Sequence, residues 1–320
     1  MISIAMTSYN GEMYIREQIE SIQRQSLNDW ELIVCDDSST DSTWKILKDF
    51  SETDTRIKPI KNETNLGFRK NFEKAISLCS GEYIALSDQD DIWLPNHLEI
   101  LMDNLNCFSL SVGNAEMVDS NNNDLGKKLN EVDGLFVLPP KDKILFRVLI
   151  GGNCFQGASS LARADFFKKY TPIPNGIFYH DAWFAACASL ENGISYTFEP
   201  ITRYRQHGNN ITAEGHKIKK NRWNKYKIFF KYLFGSKKQE TDSFTYFREL
   251  KNLFGTENKD FYRLYQIVRD IKNKRLSFSD IKFIWINFPF IASRDGHKLF
   301  FKRLISWLMW AEPDKKTIKD

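Results

Sequence analysis

Three carboxylates fall within four positions in the run Ser87-Asp88-Gln89-Asp90-Asp91. Like charges this close raise one another's pKa unless a cation lies between them. Carboxylate oxygens are the ligands that Mg²⁺ and Mn²⁺ prefer, so one reading is a divalent cation bridging the protein to a phosphorylated substrate. The other reading is a solvated turn, because charged clusters usually face water. Asp36-Asp37-Ser38-Ser39-Thr40-Asp41 forms a second acidic stretch. Asp41 suits a helix cap there. Two adjacent carboxylates exceed what a cap requires, and such a group can accept a hydrogen bond from a pyrimidine N–H. Further along, His180-Asp181-Ala182-Trp183 reads as a helix start or as a proton-transfer pair, and Arg203-Tyr204-Arg205-Gln206-His207 offers an imidazole beside two guanidinium groups. The arginines can approach a diphosphate or balance acidic neighbours. Small residues at Gly157-Ala158-Ser159-Ser160 permit close approach of a ligand or plain close packing.

These groups need rigid elements to place them. Ile2 to Met6 reads as a strand, and Gly11 to Ser26 carries Tyr14, Ile15, Ile19 and Ile22 at helical spacing. Trp30 to Cys35 is a second strand, followed by a helix bearing Trp44, Ile46, Leu47 and Phe50. Arg56 to Ile60 is a short third strand weakened by Pro59, Phe68 to Cys79 a helix, and Glu82 to Leu86 a fourth strand, with a helix following Pro95. Alternating strands and helices imply a mostly parallel sheet. Both acidic stretches then lie at carboxyl ends of strands, where open α/β sheets bind ligands. From about residue 111 the pattern turns irregular, with a turn at Asn121-Asn122-Asn123-Asp124 and strand character from Tyr196 to Tyr204. No GxGxxG follows the first strand, which excludes a dinucleotide fingerprint.

The 320 residues, 42% hydrophobic and 14% aromatic, suffice for a sizeable core. The five cysteines are odd in number and scattered, with no CxxC pair, which argues against a disulfide framework and a zinc site and fits a reducing compartment. No apolar run reaches the ~20 residues that span a bilayer, and the first residues lack the pattern of a signal peptide. The net charge of +4 divides unevenly. Residues 1–215 hold 20 Lys+Arg against 30 Asp+Glu, a balance of −10, while residues 216–320 hold 25 against 11, or +14.

Thr7-Ser8-Tyr9-Asn10, Asp36 to Asp41, Asn65-Leu66-Gly67 and Gly81 to Asp91, taken together, resemble glycosyltransferase family 2, the inverting nucleotide-sugar transferases. The resemblance covers roughly residues 1–215, and Asp-Gln-Asp-Asp followed by Ile92-Trp93 is most like the bacterial rhamnosyltransferases of cell-surface polysaccharide synthesis. It implies an α/β GT-A fold with a mostly parallel, Rossmann-like sheet and a C-terminal helical, basic extension. Residues 1–110 would form the nucleotide-sugar half, 111–215 the acceptor half of the same domain, and 216–320 the extension. By resemblance Thr7, Tyr9, Asp37, Asn65, Arg69 and Asp88 meet the nucleotide, Asp37 through its base, although the family's usual Ala-Arg-Asn stretch is shortened around Arg69. The resemblance implies Asp90 and His207 as the metal ligands. It likewise implies Asp181 as the catalytic base, with histidine at 180 in place of the family's usual first acid, and Gly157 and Trp183 as part of the acceptor pocket. The implied cofactor is Mn²⁺ or Mg²⁺. The expected donor is dTDP-rhamnose, with a UDP-sugar as the alternative, and the expected acceptor a lipid-linked glycan.

The basic tail interleaves lysines with aromatics in Lys225 to Phe234 and again in Lys298 to Trp310. Such helices can lie on an anionic membrane surface, or their aromatic stripes can form a helical core or an oligomer contact. Nucleic acid is not expected, because no recognition module accompanies the tail and the acidic half repels phosphates. A cytoplasmic protein held peripherally at the inner face of the cell membrane is the expectation. The competing class is a non-catalytic scaffold that docks on membranes through its tail.

Overall fold

The computed structural model describes residues 1–149, 153–177, 179–208, 240–255, 258–272 and 277–287. The first hundred residues alternate strand and helix: β1 (Ile2–Ser8), α1 (Ile15–Gln23), β2 (Trp30–Asp36), α2 (Thr43–Thr53), β3 (Ile57–Lys61), α3 (Phe68–Leu78), β4 (Tyr83–Ser87), a two-residue β5 (Ile92–Trp93) and α4 (His97–Leu105). Residues 110–205 add β6 (Leu110–Val118), β7 (Asp124–Lys128), α5 (Leu129–Asp133), α6 (Lys141–Leu149), a 3₁₀ turn at Gly157–Ser159, β8 (Ser160–Arg163), α7 (Ala164–Lys169), α8 (His180–Leu190) and β9 (Ile194–Arg205). Three further helices follow, α9 (Glu240–Phe254), α10 (Lys259–Lys272) and α11 (Phe278–Asn287).

Among the described residues all nine strands join one sheet in the order β3-β2-β1-β4-β8-β6-β9-β5, with β7 on β6. Strands β1 to β4 pair in parallel, as their intervening helices require. The expectation of a mostly parallel sheet fails beyond β4. Strand β8 runs antiparallel to both β4 and β6, β5 antiparallel to β9, and β7 antiparallel to β6; only β6 and β9 restore a parallel pair. The sheet is therefore mixed, half of its pairings being antiparallel.

Helices cover both faces. Ile2, Ile4 and Met6 point from β1 into a core shared with Ile15, Ile19 and Ile22 of α1 and with Leu98 and Leu101 of α4. Ala5, on the opposite face of the pleat, joins Phe72 and Ile76 of α3 and the apolar α8. Residues 110–118, which lack a readable pattern in sequence, form the long central strand β6. Its Asn114 is fully buried, yet it donates to Asn130 Oδ1 (2.8 Å) and the Phe198 carbonyl (2.7 Å) and accepts from Tyr196 (3.2 Å). A satisfied polar residue inside a strand breaks the apolar run without breaking the sheet.

Part of the described tail packs inward: Phe247 and Leu250 of α9 and Phe261, Leu264 and Ile267 of α10 are buried in the same core as Trp183 and Phe184, while Leu253, Phe278 and Ile286 are exposed. The stretches 225–234 and 298–310, on which the membrane reading rested, lie outside the described residues, as do Gly151 and Gly152.

Candidate active site

In the register of the sheet Ser8 lies opposite Asp36 and Met6 opposite Ser87, so the loops after β1, β2 and β4 emerge side by side. The chain runs from β1 outward to β3 and then returns to place β4 on the other side of β1. That reversal is the topological switch point, where loops diverge and leave a crevice. Both acidic stretches and Thr7-Ser8-Tyr9 are delivered there by backbone geometry.

The two acids after β2 do different work from each other. Asp36 is fully buried and holds its own loop, accepting from Ser8 Oγ (3.1 Å), Ser39 N (3.1 Å) and Ser39 Oγ (2.5 Å). Asp37 reaches across to the loop before α3. Its carboxylate accepts from Asn62 Nδ2 (2.8 Å), Leu66 N (2.7 Å) and Gly67 N (2.8 Å), while Asn65 Nδ2 donates to its carbonyl (3.2 Å). Asp37 and Asn65 are thus brought together. Gly67 adopts φ 80°, a left-handed conformation that favours glycine, and turns the chain into α3. Arg69 is engaged by protein: its guanidinium donates to the carbonyls of Ile173 (3.1 Å) and Pro174 (2.9 Å) and to Asn175 Oδ1 (3.4 Å). Arg69 also lines a cleft of ≈290 Å³ with Leu66, Gly67, Phe68, Lys70, Gly176 and Ile177. The cleft borders the loop that Asp37 orders, not the acidic cluster after β4.

That cluster holds most of the strained charge. Burial, then Asp90, then Asp181 push Asp88 up to about 8. Asp91, fully buried, is raised well above the usual carboxylate range by burial and by its neighbours Asp90 and Asp88, against the opposing Arg205 N–H at 3.2 Å. Asp181 stands in the first turn of α8, and burial lifts it to about 6 against hydrogen bonds from Ala182 N (2.7 Å) and the Asn153 side chain. Asp181 also contributes to the rise of Asp88, so the acids after β4 and at the start of α8, distant in sequence, lie within electrostatic range of each other. From the end of β9, His207 Nε2 comes within 2.8 Å of Asp90 Oδ2. Carboxylate and imidazole side by side fit a divalent cation, and an acidic cluster with so little compensation fits one as well. Among the described residues no three His, Cys, Asp or Glu side chains converge to hold a metal by themselves.

Other expected residues fall elsewhere. Trp183 is 1% exposed, and its indole N–H donates to the Tyr170 carbonyl at 3.0 Å. It belongs to the core, on a helix whose residues are nearly all buried. Gly157 is tightly covered: a Cβ there would lie 2.8 Å from His180 Nε2 and 3.2 Å from Asp181 Cβ. Its smallness serves close packing against the start of α8. The arginines of β9 balance acids, Arg203 with Glu116 (2.6 Å) and Arg205 with Glu17 (2.5 Å).

Three participants carry little signal in the sequence. Gln89 clamps the Tyr9 backbone, Tyr14 stacks on the His207 ring with centroids 4.7 Å apart, and His180 is buried with neither ring nitrogen hydrogen-bonded. Burial lowers His180 to about 4, so its ring is neutral at neutral pH. Gln89, set inside the acidic run, and His180, beside Asp181, were open to detection; the stacking of Tyr14 on His207 was not.

The model of the family "Glycosyl transferase family 2" matches residues 3–171. A UDP-Glc:alpha-D-GlcNAc-diphosphoundecaprenol beta-1,3-glucosyltransferase of Escherichia coli, WfgD, is 38% identical over 49% of this chain and 57% of its own length. An uncharacterized glycosyltransferase of Haemophilus influenzae is 28% identical over 67% of this chain and 68% of its own. The putative glycosyltransferase EpsE of Bacillus subtilis matches at 43% over 31% of the chain and 36% of EpsE, so the chain spans only about a third to a little over half of the curated relatives WfgD and EpsE. Among solved structures, S. aureus TarS 1-349 in complex with UDP-GlcNAc superposes with a TM-score of 0.55 at 15% identity, covering 93% of this chain and 91% of TarS. A Pyrobaculum calidifontis mannosyltransferase in complex with GDP-Man and Mn²⁺ gives 0.52 at 12%, over 97% and 87%. Those likenesses establish a GT-A-like fold, and with more than half its length matched by the family model, the chain belongs to glycosyltransferase family 2.

Proposed function

We propose that the protein transfers a hexose, with inversion, from a nucleoside-diphosphate donor to a hydroxyl of a lipid-linked cell-surface glycan. The observation that supports this reading is the contact of His207 with Asp90 (2.8 Å) beside Asp88, whose pKa is raised in part by the charge of Asp181, itself lifted to about 6 by burial. Asp181 takes the proton of the acceptor hydroxyl as its oxygen attacks the anomeric carbon. The bond from that carbon to the diphosphate breaks on the opposite face, and its electron pair leaves with the diphosphate. A base near 6 is ionised at neutral pH and more basic than an ordinary aspartate, which suits the task.

A divalent cation, when bound, offsets the charge developing on the leaving diphosphate. Asp90 and His207 would be its protein ligands, with diphosphate oxygens and water filling the rest, as is usual for Mg²⁺ and Mn²⁺ at phosphate sites. In this reading Thr7, Tyr9 and Asn65 line the nucleotide pocket, Asp37 meets the base through the lone pair its three donors leave, and Asp88 faces the ribose.

The named relatives carry UDP- or GDP-linked sugars, and the E. coli protein a diphosphoundecaprenol acceptor. The proposed donor is therefore a UDP-hexose, ahead of the dTDP-rhamnose that the motif resemblance suggests. Among the described residues no helix is long and apolar enough to cross a membrane; a lipid-linked acceptor would be met at the membrane surface.

The test is nucleotide release by purified protein with Mn²⁺, screening UDP-glucose, UDP-galactose, UDP-N-acetylglucosamine, GDP-mannose and dTDP-rhamnose with and without a polyprenyl-diphosphate-sugar acceptor. Acceptor-dependent release of UDP supports the reading. Release of dTDP alone moves the donor to rhamnose. Absence of release from every donor, with no nucleotide binding, favours the scaffold.

A further inference from the structure

His207 follows the last residue of β9 by two positions, just past Gln206, whose N–H donates to the Val118 carbonyl of β6 (2.8 Å). An imidazole at such a place turns freely unless something fixes its plane. The Asp90 carboxylate holds one edge of the ring, and one side chain outside the ligand set covers its face. The Tyr14 ring, at the N-terminal boundary of α1, stacks on the His207 ring with centroids 4.7 Å apart and planes 28° from parallel. The Arg205 guanidinium lies 4.8 Å from the centre of the same Tyr14 ring.

Arg205 is itself pinned. Its side chain is 1% exposed and makes a fork of three bonds: Nε to the Asp90 carbonyl (2.9 Å), Nη1 to the Ser120 carbonyl (3.0 Å) and Nη2 to Glu17 (2.5 Å). Its backbone N–H also donates to Asp91 Oδ1 (3.2 Å). One rigid planar group therefore ties α1, the acidic loop, the β6–β7 loop and the end of β9. Lysine, with a single ammonium, cannot reproduce that fork.

We infer that Tyr14 and Arg205 are positioning residues for the cation site, the first fixing the plane of the His207 imidazole and the second fixing the backbone of Asp90 beneath it. The inference rests on the reading that Asp90 and His207 hold a divalent cation. Groups that orient metal ligands typically alter metal affinity by about 10–100-fold when removed. Neither residue touches the reacting atoms.

The experiment is Mn²⁺ titration by electron paramagnetic resonance in the presence of UDP, with the ¹⁴N coupling of a bound imidazole read from the spin echo and a thermal melt for each variant. The wild type should bind Mn²⁺ with ¹⁴N coupling, and His207→Ala should lose the coupling and weaken binding. Tyr14→Leu should weaken Mn²⁺ binding about 10-fold and broaden or remove the coupling, while Tyr14→Phe, which keeps the ring, restores both. Arg205→Lys should weaken binding similarly. Should that buried substitution fail to fold, Glu17→Gln, at a half-exposed position, loosens the same fork and should weaken binding about threefold or more. Wild-type affinity and coupling in Tyr14→Leu and Glu17→Gln overturn the inference while leaving the cation site intact. Absence of Mn²⁺ binding in the wild type, or full binding in His207→Ala, overturns the cation reading itself and this inference with it.

Discussion

Tyr9 and Gln89 exchange two hydrogen bonds across the switch point of the sheet. The Tyr9 N–H donates to Gln89 Oε1 at 2.9 Å, and Gln89 Nε2 donates to the Tyr9 carbonyl at 3.1 Å. A side-chain amide here imitates a strand partner and sews the loop after β1 to the acidic loop after β4. Gly11 makes room for it: a Cβ at position 11 would lie 2.2 Å from Gln89 Oε1. Gln89, between Asp88 and Asp90, is thus a spacer with a structural duty.

Gly11→Ala should therefore expel the Gln89 side chain and free Tyr9. Two partly exposed hydrogen bonds are worth about 1–2 kcal/mol together. The donor KM should rise about 5–10-fold, with kcat changed much less, because Asp181 stands on another element. Steady-state kinetics on Gly11→Ala and Gln89→Ala check this. An unchanged KM in both would show that the clamp does not shape the donor pocket.

Asp181→Asn keeps the shape of the side chain and removes its basicity. With donor binding retained, kcat should fall by about 10²–10⁴. In the wild type the acid limb of the pH profile should lie near 6, activity rising as Asp181 loses its proton. The linkage has a definite sign. A carboxylate raised from 3.8 to about 6 in the folded state stabilises the protein below 3.8 and loses that contribution as pH climbs through 6. Asp181→Asn should thus be more stable than the wild type at pH 7–8, by on the order of 1–3 kcal/mol, in urea denaturation. A variant with wild-type turnover dismisses Asp181 as the base; one that is less stable at pH 8 dismisses the burial argument.

His180, the preceding residue, has the opposite linkage. Its folded state is held down at about 4 by burial, against 6.5 unfolded, so the unfolded chain takes up the proton first and stability falls as pH drops from 6.5 toward 4. The loss should reach about 2 kcal/mol by pH 5. His180→Leu removes it and should flatten the stability profile between pH 7 and 5 by that amount. An equal slope in variant and wild type would mean that the imidazole is solvated or paired.

The first four strands were legible because their residues alternate faces and their helices carry apolar positions at helical spacing. The chemistry at their ends was legible by residue type: three carboxylates in four positions are costly wherever they lie. Strand β6 was not legible, because Asn114 and Ser111 sit at fully buried positions and hide the apolar run. Nor was the burial of Trp183, since α8 is apolar all round and its sequence does not say which side meets a ligand. Contacts such as Tyr14 with His207 join residues from opposite ends of the fold; only tertiary packing creates them.

Charge divides the chain at residue 215, but the described helices α9 and α10 share a core with the acidic body. Phe247, Leu250, Phe261, Leu264 and Ile267 complete the core around Trp183, and the Tyr246 hydroxyl donates to the Tyr179 carbonyl at 3.0 Å, two residues before Asp181. Deleting residues 216–320 should leave an insoluble or unfolded body. Phe261→Ala alone should cost about 3–5 kcal/mol, a large share of the stability of an ordinary domain. Tyr246→Phe, which removes one hydrogen bond at the start of α8, should cost only about 1 kcal/mol and lower kcat modestly through the position of Asp181. Soluble yield, thermal melting and kcat for the three proteins check these outcomes. A truncated chain that melts like the full one would make the tail a separate appendage; the shared core leads us to expect collapse instead.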